Sequence, residues 1–263
     1  MSTLFFLFLL HLALGLLLAL LLVPRRAGPG FFKLCSALAV FMMACGLWLL
    51  YRRFGSTGGP GAPGGTTYVA LVWTTAASLA LSALLNRAWH LGWRRLQMPL
   101  LVGAAASGFG ALLLASPNPA FAAADLSSTL LLGTATAAMI LGHWYLVVLD
   151  LPIAALRRLT VALIATLVLR GVWVGVAVVG PVHAGFDEAR LVASGLWSAD
   201  GIFVWMRLLF GLAGPLSLVW FIWKTVEIRS TQSATGILYV QLFLVLAGEL
   251  LAKYLRVAAG YPL

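Results

Sequence analysis

Apolar runs of about 20 residues recur along the chain, at 4–23, 31–51, 67–88, 98–115, 126–149, 157–181, 201–223 and 235–257. At ~1.5 Å of rise per residue, each is long enough to cross a hydrocarbon core ~30 Å thick. Inside lipid every backbone N–H and C=O must find a partner within the protein, so each run has to form a helix. The expected fold is an all-α integral membrane protein, a single bundle of about eight transmembrane helices occupying residues 1–263 as one domain. Composition supports this, with 9% of residues charged and 62% hydrophobic, where soluble domains carry about a quarter charged residues. The run at 4–23 has no basic stretch before it and no small-residue cleavage site after it, so it reads as a first helix and not a signal peptide. Cys35 and Cys45 lie on one helix, ~15 Å apart, out of disulfide reach.

A net charge of +10 would suggest nucleic acid in a soluble protein, but its placement gives another meaning. Arg25, Arg26, Lys33, Arg87, Arg94, Arg95, Arg157, Arg158, Lys224 and Arg229 fall in or beside alternate loops. By the positive-inside rule those loops are cytoplasmic, which puts both termini outside. The opposite connections, 55–65, 116–125 and 180–200, lack basic residues or are net acidic. Arg52, Arg53, Lys253 and Arg256 are the exceptions. The expected setting is a multi-pass position in a bacterial inner membrane, with the lipid bilayer as partner and no nucleic acid. Residues 185–197 are expected to form a short amphipathic helix on the outer surface. Thr231, Ser233 or Thr235 is expected to cap the last helix.

Some residues are costly in such a chain. Thr129, Thr136, His143 and Asp150 are spaced by seven, and seven steps of ~100° return almost to the same direction, so helix 5 should carry a polar stripe. That stripe must face the bundle interior or water. Arg170, Arg207 and Glu249 each sit well inside helices 6, 7 and 8, at similar predicted depth. Each would cost ~2.5–3.5 kcal/mol alone at the bilayer centre, so mutual pairing is the cheapest arrangement. Such a trio keeps excess positive charge, which favours an anionic or acceptor-rich ligand. Trp173 and Trp205 lie close in sequence to the two arginines, and the GLAGP at 211–215 should loosen helix 7 beside Arg207. With Gln241 these residues define an expected ligand-binding pocket in the outer half, with Glu249, His143 and Asp150 expected to transfer protons.

No metal-binding cluster and no nucleotide-binding or hydrolase motif is present in the sequence. A quinone is the expected cofactor. Haem is a second candidate, with His11 and His143 as the histidines available to it. Those two lie roughly 10 and 25 Å below the outer surface, which does not support joint ligation. The largely apolar bundle with a few buried Arg, Glu, Asp and His resembles, in architecture and without a shared motif, the quinol-binding membrane anchors of respiratory oxidoreductases. Eight helices with intramembrane histidines are also similar to haem A synthases, but paired histidines at matched depth are missing. The leading expectation is a membrane subunit of a respiratory-type electron-transfer system, at most a quinone-binding subunit of an oxidoreductase, working with partner redox subunits. The alternative is a small proton-coupled transporter or lipid-handling protein for an anionic substrate.

Overall fold

The computed structural model describes residues 2–55, 65–148, 151–184 and 201–259. Among them all regular structure is helical, and eight helices are long and apolar enough to cross a membrane. They are α1 (Ser2–Leu20), α2 (Pro29–Phe54), α3 (Gly65–His90), α4 (Arg94–Ala115), α5 (Pro119–Val147), α6 (Ala154–Ala184), α7 (Gly201–Glu227) and α8 (Thr231–Ala259). The expected amphipathic segment at 185–197 lies outside the described residues.

Boundary chemistry explains where the helices run past their apolar cores. Asn118 caps α5 by accepting a hydrogen bond from Phe121 N at 3.0 Å, and Pro119 occupies the first helical position, where its missing N–H costs nothing. This adds two turns before residue 126, and those turns carry Asp125 into the helix. Helix α8 starts at Thr231, so Thr231, Ser233 and Thr235 are helical and none is the cap; the Thr235 hydroxyl donates back to Thr231 O at 2.7 Å. The turn before it is tight, with Arg229 at φ 58°. Helix α7 contains a π-helical stretch, Leu209–Ala213, immediately after Arg207.

Consecutive helices pack antiparallel. Near one end of α2 and α3, Asn86 donates to Lys33 O at 2.8 Å; near the other, Tyr68 donates to Gly55 O at 2.7 Å. Helices α1–α4 pack in a closed ring, each against the next and α4 against α1, and α5–α8 repeat that order. Each half has four helices, so the halves share one orientation, and their leading helices α1 and α5 form the main joint between them. These two helices are the most buried spans. They cross where a Cβ on Gly15 or Gly133 would overlap the backbone of the other helix, so glycine at both positions sets the close approach. An apolar core including Leu16, Phe31, Leu85, Leu131, Leu163 and Val245 runs through both halves.

All helix connections between α1–α2, α3–α4, α5–α6 and α7–α8 fall at one end of the bundle, called the basic end below because Arg25, Arg26, Arg94, Arg157 and Arg158 lie there. The start of α1 and the end of α8 lie at the opposite, terminal end.

Candidate functional site

A guanidinium or carboxylate in lipid needs a partner of opposite charge at the same depth. Arg170 on α6, Arg207 on α7 and Glu249 on α8 meet this need together, all three fully buried. Arg170 grips the carboxylate with two parallel bonds, Nε to Oε1 and Nη2 to Oε2, both 2.9 Å. This fork-to-fork geometry is the strongest pairing available to arginine. Its Nη1 donates to Ala124 O and Ser127 Oγ on α5, each at 3.1 Å. Arg207 adds a third bond to the carboxylate, Nη2 to Oε1 at 2.7 Å.

The path of Arg207 to Glu249 depends on two glycines. A Cβ on Gly211 would overlap Arg207 Nη1, and one on Gly248 would overlap the backbone of Gly211 and stand 3.2 Å from the same nitrogen. The guanidinium therefore occupies space that any side chain at Gly211 would fill.

A second ionic cluster lies one turn closer to the terminal end. Asp125 accepts from Ser116 Oγ at 2.7 Å, from Lys253 Nζ at 3.5 Å and from Arg256 Nη1. Lys253 also donates to Ser128 Oγ at 3.0 Å, and Arg256 to Ala115 O at 3.0 Å. His11 of α1 is fully buried with Nε2 3.6 Å from Asp125 Oδ1. The two clusters together set four basic side chains, Arg170, Arg207, Lys253 and Arg256, against the two carboxylates Glu249 and Asp125.

Several buried polar atoms here have no hydrogen-bond partner among the described residues: Arg207 Nε and Nη1, both ring nitrogens of His11, the Thr129 hydroxyl, and both amide atoms of Gln241. Gln241 and Gly248 are seven residues apart on α8 and share a face, so the Gln241 amide lies ~10 Å along that face from the Gly248 beside Arg207. Trp205 is 44% exposed at the bundle surface, two residues before Arg207, and Trp173 is half-buried on α6.

The structure thus brings Arg170, Arg207 and Glu249 into contact and puts Gln241 on the same seam. It does not bring His143 there. Thr129 and Thr136 of the polar stripe are buried, but His143 is exposed near the basic end, with Nδ1 3.1 Å from the Tyr239 hydroxyl. The ~20° drift per heptad of a straight helix turns the stripe out of the interior by that depth. Asp150 lies outside the described residues. His11 is level with Asp125, and 18 residues of α5, ~27 Å, separate Asp125 from His143, so one haem iron cannot take both histidines. Among the described residues no group of three or more His, Cys, Asp or Glu could hold a metal ion.

Sequence reasoning misses the Asp125 cluster. The signal for it was the Asn118–Pro119 pair, a cap followed by a first helical residue, which moves Asp125 from a loop into the bundle. Lys253 and Arg256 then cease to be exceptions to a charge rule and become the partners of Asp125. Comparison with family models, with curated proteins and with solved structures finds no match to this chain.

Proposed function

We propose that the chain is a membrane subunit of a respiratory-type electron-transfer system in the bacterial inner membrane and binds a quinone beside Arg207. The observation that carries this reading is the pair of buried Arg207 donors, Nε–H and Nη1–H, that have no acceptor among the described residues. Leaving such donors bare in hydrocarbon costs several kcal/mol, and a ligand carbonyl relieves that cost. A bound quinone would supply two-electron, two-proton chemistry, with the electrons coming from or going to redox subunits assembled on this one.

The residues divide the work. Glu249, clamped by Arg170, holds the Arg207 guanidinium in place, and Gln241 offers a second polar contact along the same face. Trp205 and Trp173 supply aromatic surface nearby. Protons exchange with the terminal face through Glu249, Asp125 and His11, which lie within one turn of each other; His143 and Asp150 serve the basic side. His11 and His143 stand too far apart along the bundle to ligate one haem iron.

A second reading, a proton-coupled transporter for an anionic substrate, is favoured by the π-helical break at Leu209–Ala213 next to Arg207, since transporters bind substrate at interrupted helices. The repeat of two same-orientation halves does not supply the inverted pair such proteins often use.

The test is organic extraction of the detergent-purified protein for quinone, together with oxidised and reduced absorption spectra. Quinone at near-equal stoichiometry, lost in Arg207→Gln, is the expected result. An extract without quinone, combined with anion uptake into proteoliposomes that Arg207→Gln abolishes, would replace the first reading with the second. A Soret band that shifts on reduction would overturn the haem argument.

A further inference from the structure

At the basic end, the turn leading into α2 and the turn between α3 and α4 enclose a cavity of about 490 Å³ lined by Arg25, Arg26, Lys33, His90, Arg94 and Gln97. Like charges repel, so such a group stays together only if the walls are rigid. Trp89 stacks on Phe32 with ring centroids 4.4 Å apart, and Asn86 donates to Lys33 O at 2.8 Å and to Ser36 Oγ at 2.9 Å. These contacts fasten α3 to the first turns of α2.

Among the described residues, none of Arg25, Arg26, Lys33 and Arg94 is in an ion pair, and no carboxylate lines the cavity. The first residues of two helices, Pro29 of α2 and Arg94 of α4, also line it, and neither helix has a side-chain cap. Two positive helix ends therefore add to the four cations. Gln97 is the second, independent sign of a ligand. It is 4% exposed, lines the cavity, and makes no hydrogen bond with any described residue.

The surroundings identify the source of the anion. Trp89 and the exposed Trp93 mark the depth of lipid headgroups. A second cavity of about 750 Å³ shares His90 and continues along the outward face of α3 over Ala80, Ala83, Leu84 and Leu91. A soluble phosphate needs no such apolar extension, whereas an acyl chain does.

We propose that this cavity binds the phosphate headgroup of an anionic phospholipid, with an acyl chain along α3. Four permanent cations and two helix ends favour a bis-phosphate headgroup over a single phosphate. The site lies at the opposite end of the bundle from the ionic layer and stands independently of any quinone.

Native mass spectrometry of the detergent-purified chain, titrated with a diphosphatidyl lipid, phosphatidylglycerol or phosphatidylcholine, tests this. Retention should follow that order, with at least tenfold preference for the diphosphatidyl lipid over phosphatidylcholine. Arg25→Gln/Arg94→Gln should lose about 25-fold, roughly fivefold per cation, while Arg157→Gln/Arg158→Gln removes equal charge elsewhere and should lose little. Gln97→Leu keeps every charge, and so the topology signal, yet should weaken binding by about tenfold through the lost bond to a charged oxygen. Equal retention of phosphatidylcholine, or unchanged binding in Gln97→Leu and the Arg25/Arg94 variant, would overturn the proposal. Displacement of the lipid by millimolar pyrophosphate alone would overturn the lipid source.

Discussion

Neutralising Glu249 and neutralising Arg207 should have very different costs, although they are partners in one ion pair. Glu249→Gln removes the carboxylate that, among the described residues, bonds both fully buried guanidiniums, and it spoils three bonds of 2.7–2.9 Å. Breaking a buried ion pair from the carboxylate side in this way costs about 3–5 kcal/mol. Arg207→Gln loses one charge-assisted bond and leaves Arg170 and Glu249 as an intact, neutral, bidentate pair. Polar contacts between membrane helices are worth about 0.6–2 kcal/mol, which bounds this loss. The expected gap of about 2 kcal/mol is roughly a 30-fold difference in the unfolding constant. The double variant removes the Arg207 guanidinium as well and should be no less stable than Glu249→Gln alone. Unfolding in mixed micelles with increasing dodecyl sulfate, followed by tryptophan fluorescence, measures all four species. If Arg207→Gln proves as damaging as Glu249→Gln, Arg207 is a structural strut and the reading of it as a ligand donor fails.

Gly211→Ala puts a methyl group where Arg207 Nη1 lies, with Gly248 Cα 3.0 Å away, so it should match the stability loss of Arg207→Gln and also lose bound quinone; retention of quinone would show that the guanidinium can take another route. Gly133→Ala drives a Cβ into the Gly15 backbone, where no side chain can swing aside, and should cost about 3 kcal/mol or more in the same micelle assay. If basic loops face the cytoplasm, a cysteine at Leu91 should be shielded from an impermeant maleimide in right-side-out vesicles, and one at Thr66 labelled, with Cys35 and Cys45 replaced by alanine. The reverse pattern would invert the orientation.

Depth was legible in the sequence because it can be counted at a fixed rise per residue. That is why Arg170, Arg207 and Glu249 stood out as partners from their positions in three separate helices. Adjacency between non-consecutive helices was not legible. Short loops imply that neighbours in sequence are neighbours in space, and the α1–α5 joint breaks that pattern, so the approach of His11 to Asp125 had no local signal. The orientation of His143 was hidden for another reason. A heptad count defines a stripe but not where the surrounding helices stop covering it, and by His143 the stripe faces outward.

The polar groups of the two halves differ in a way that bears on the ligand. In α1–α4 the buried hydroxyls are largely satisfied close by: Ser36 by Phe32 O, Thr75 by Leu71 O and Ser78 by Ala104 O across to α4. In α5–α8 lie Asp125, Arg170, Arg207, Glu249 and Lys253, all buried, and beside them the unpartnered atoms of Arg207, Gln241 and Thr129. A network serving only to join helices would be cheapest if fully bonded, and among the described residues this one is not. An acceptor-rich occupant on the α7–α8 seam would supply the missing partners, and by mass action it would stabilise the fold it binds. At 100 times its dissociation constant the gain is about 2.7 kcal/mol. Adding a short-chain quinone to extracted protein should therefore raise its midpoint in the micelle assay, and Arg207→Gln should lower the baseline slightly and abolish the increment. Equal increments in both proteins would place any quinone away from Arg207 and leave its bare donors without the role assigned to them.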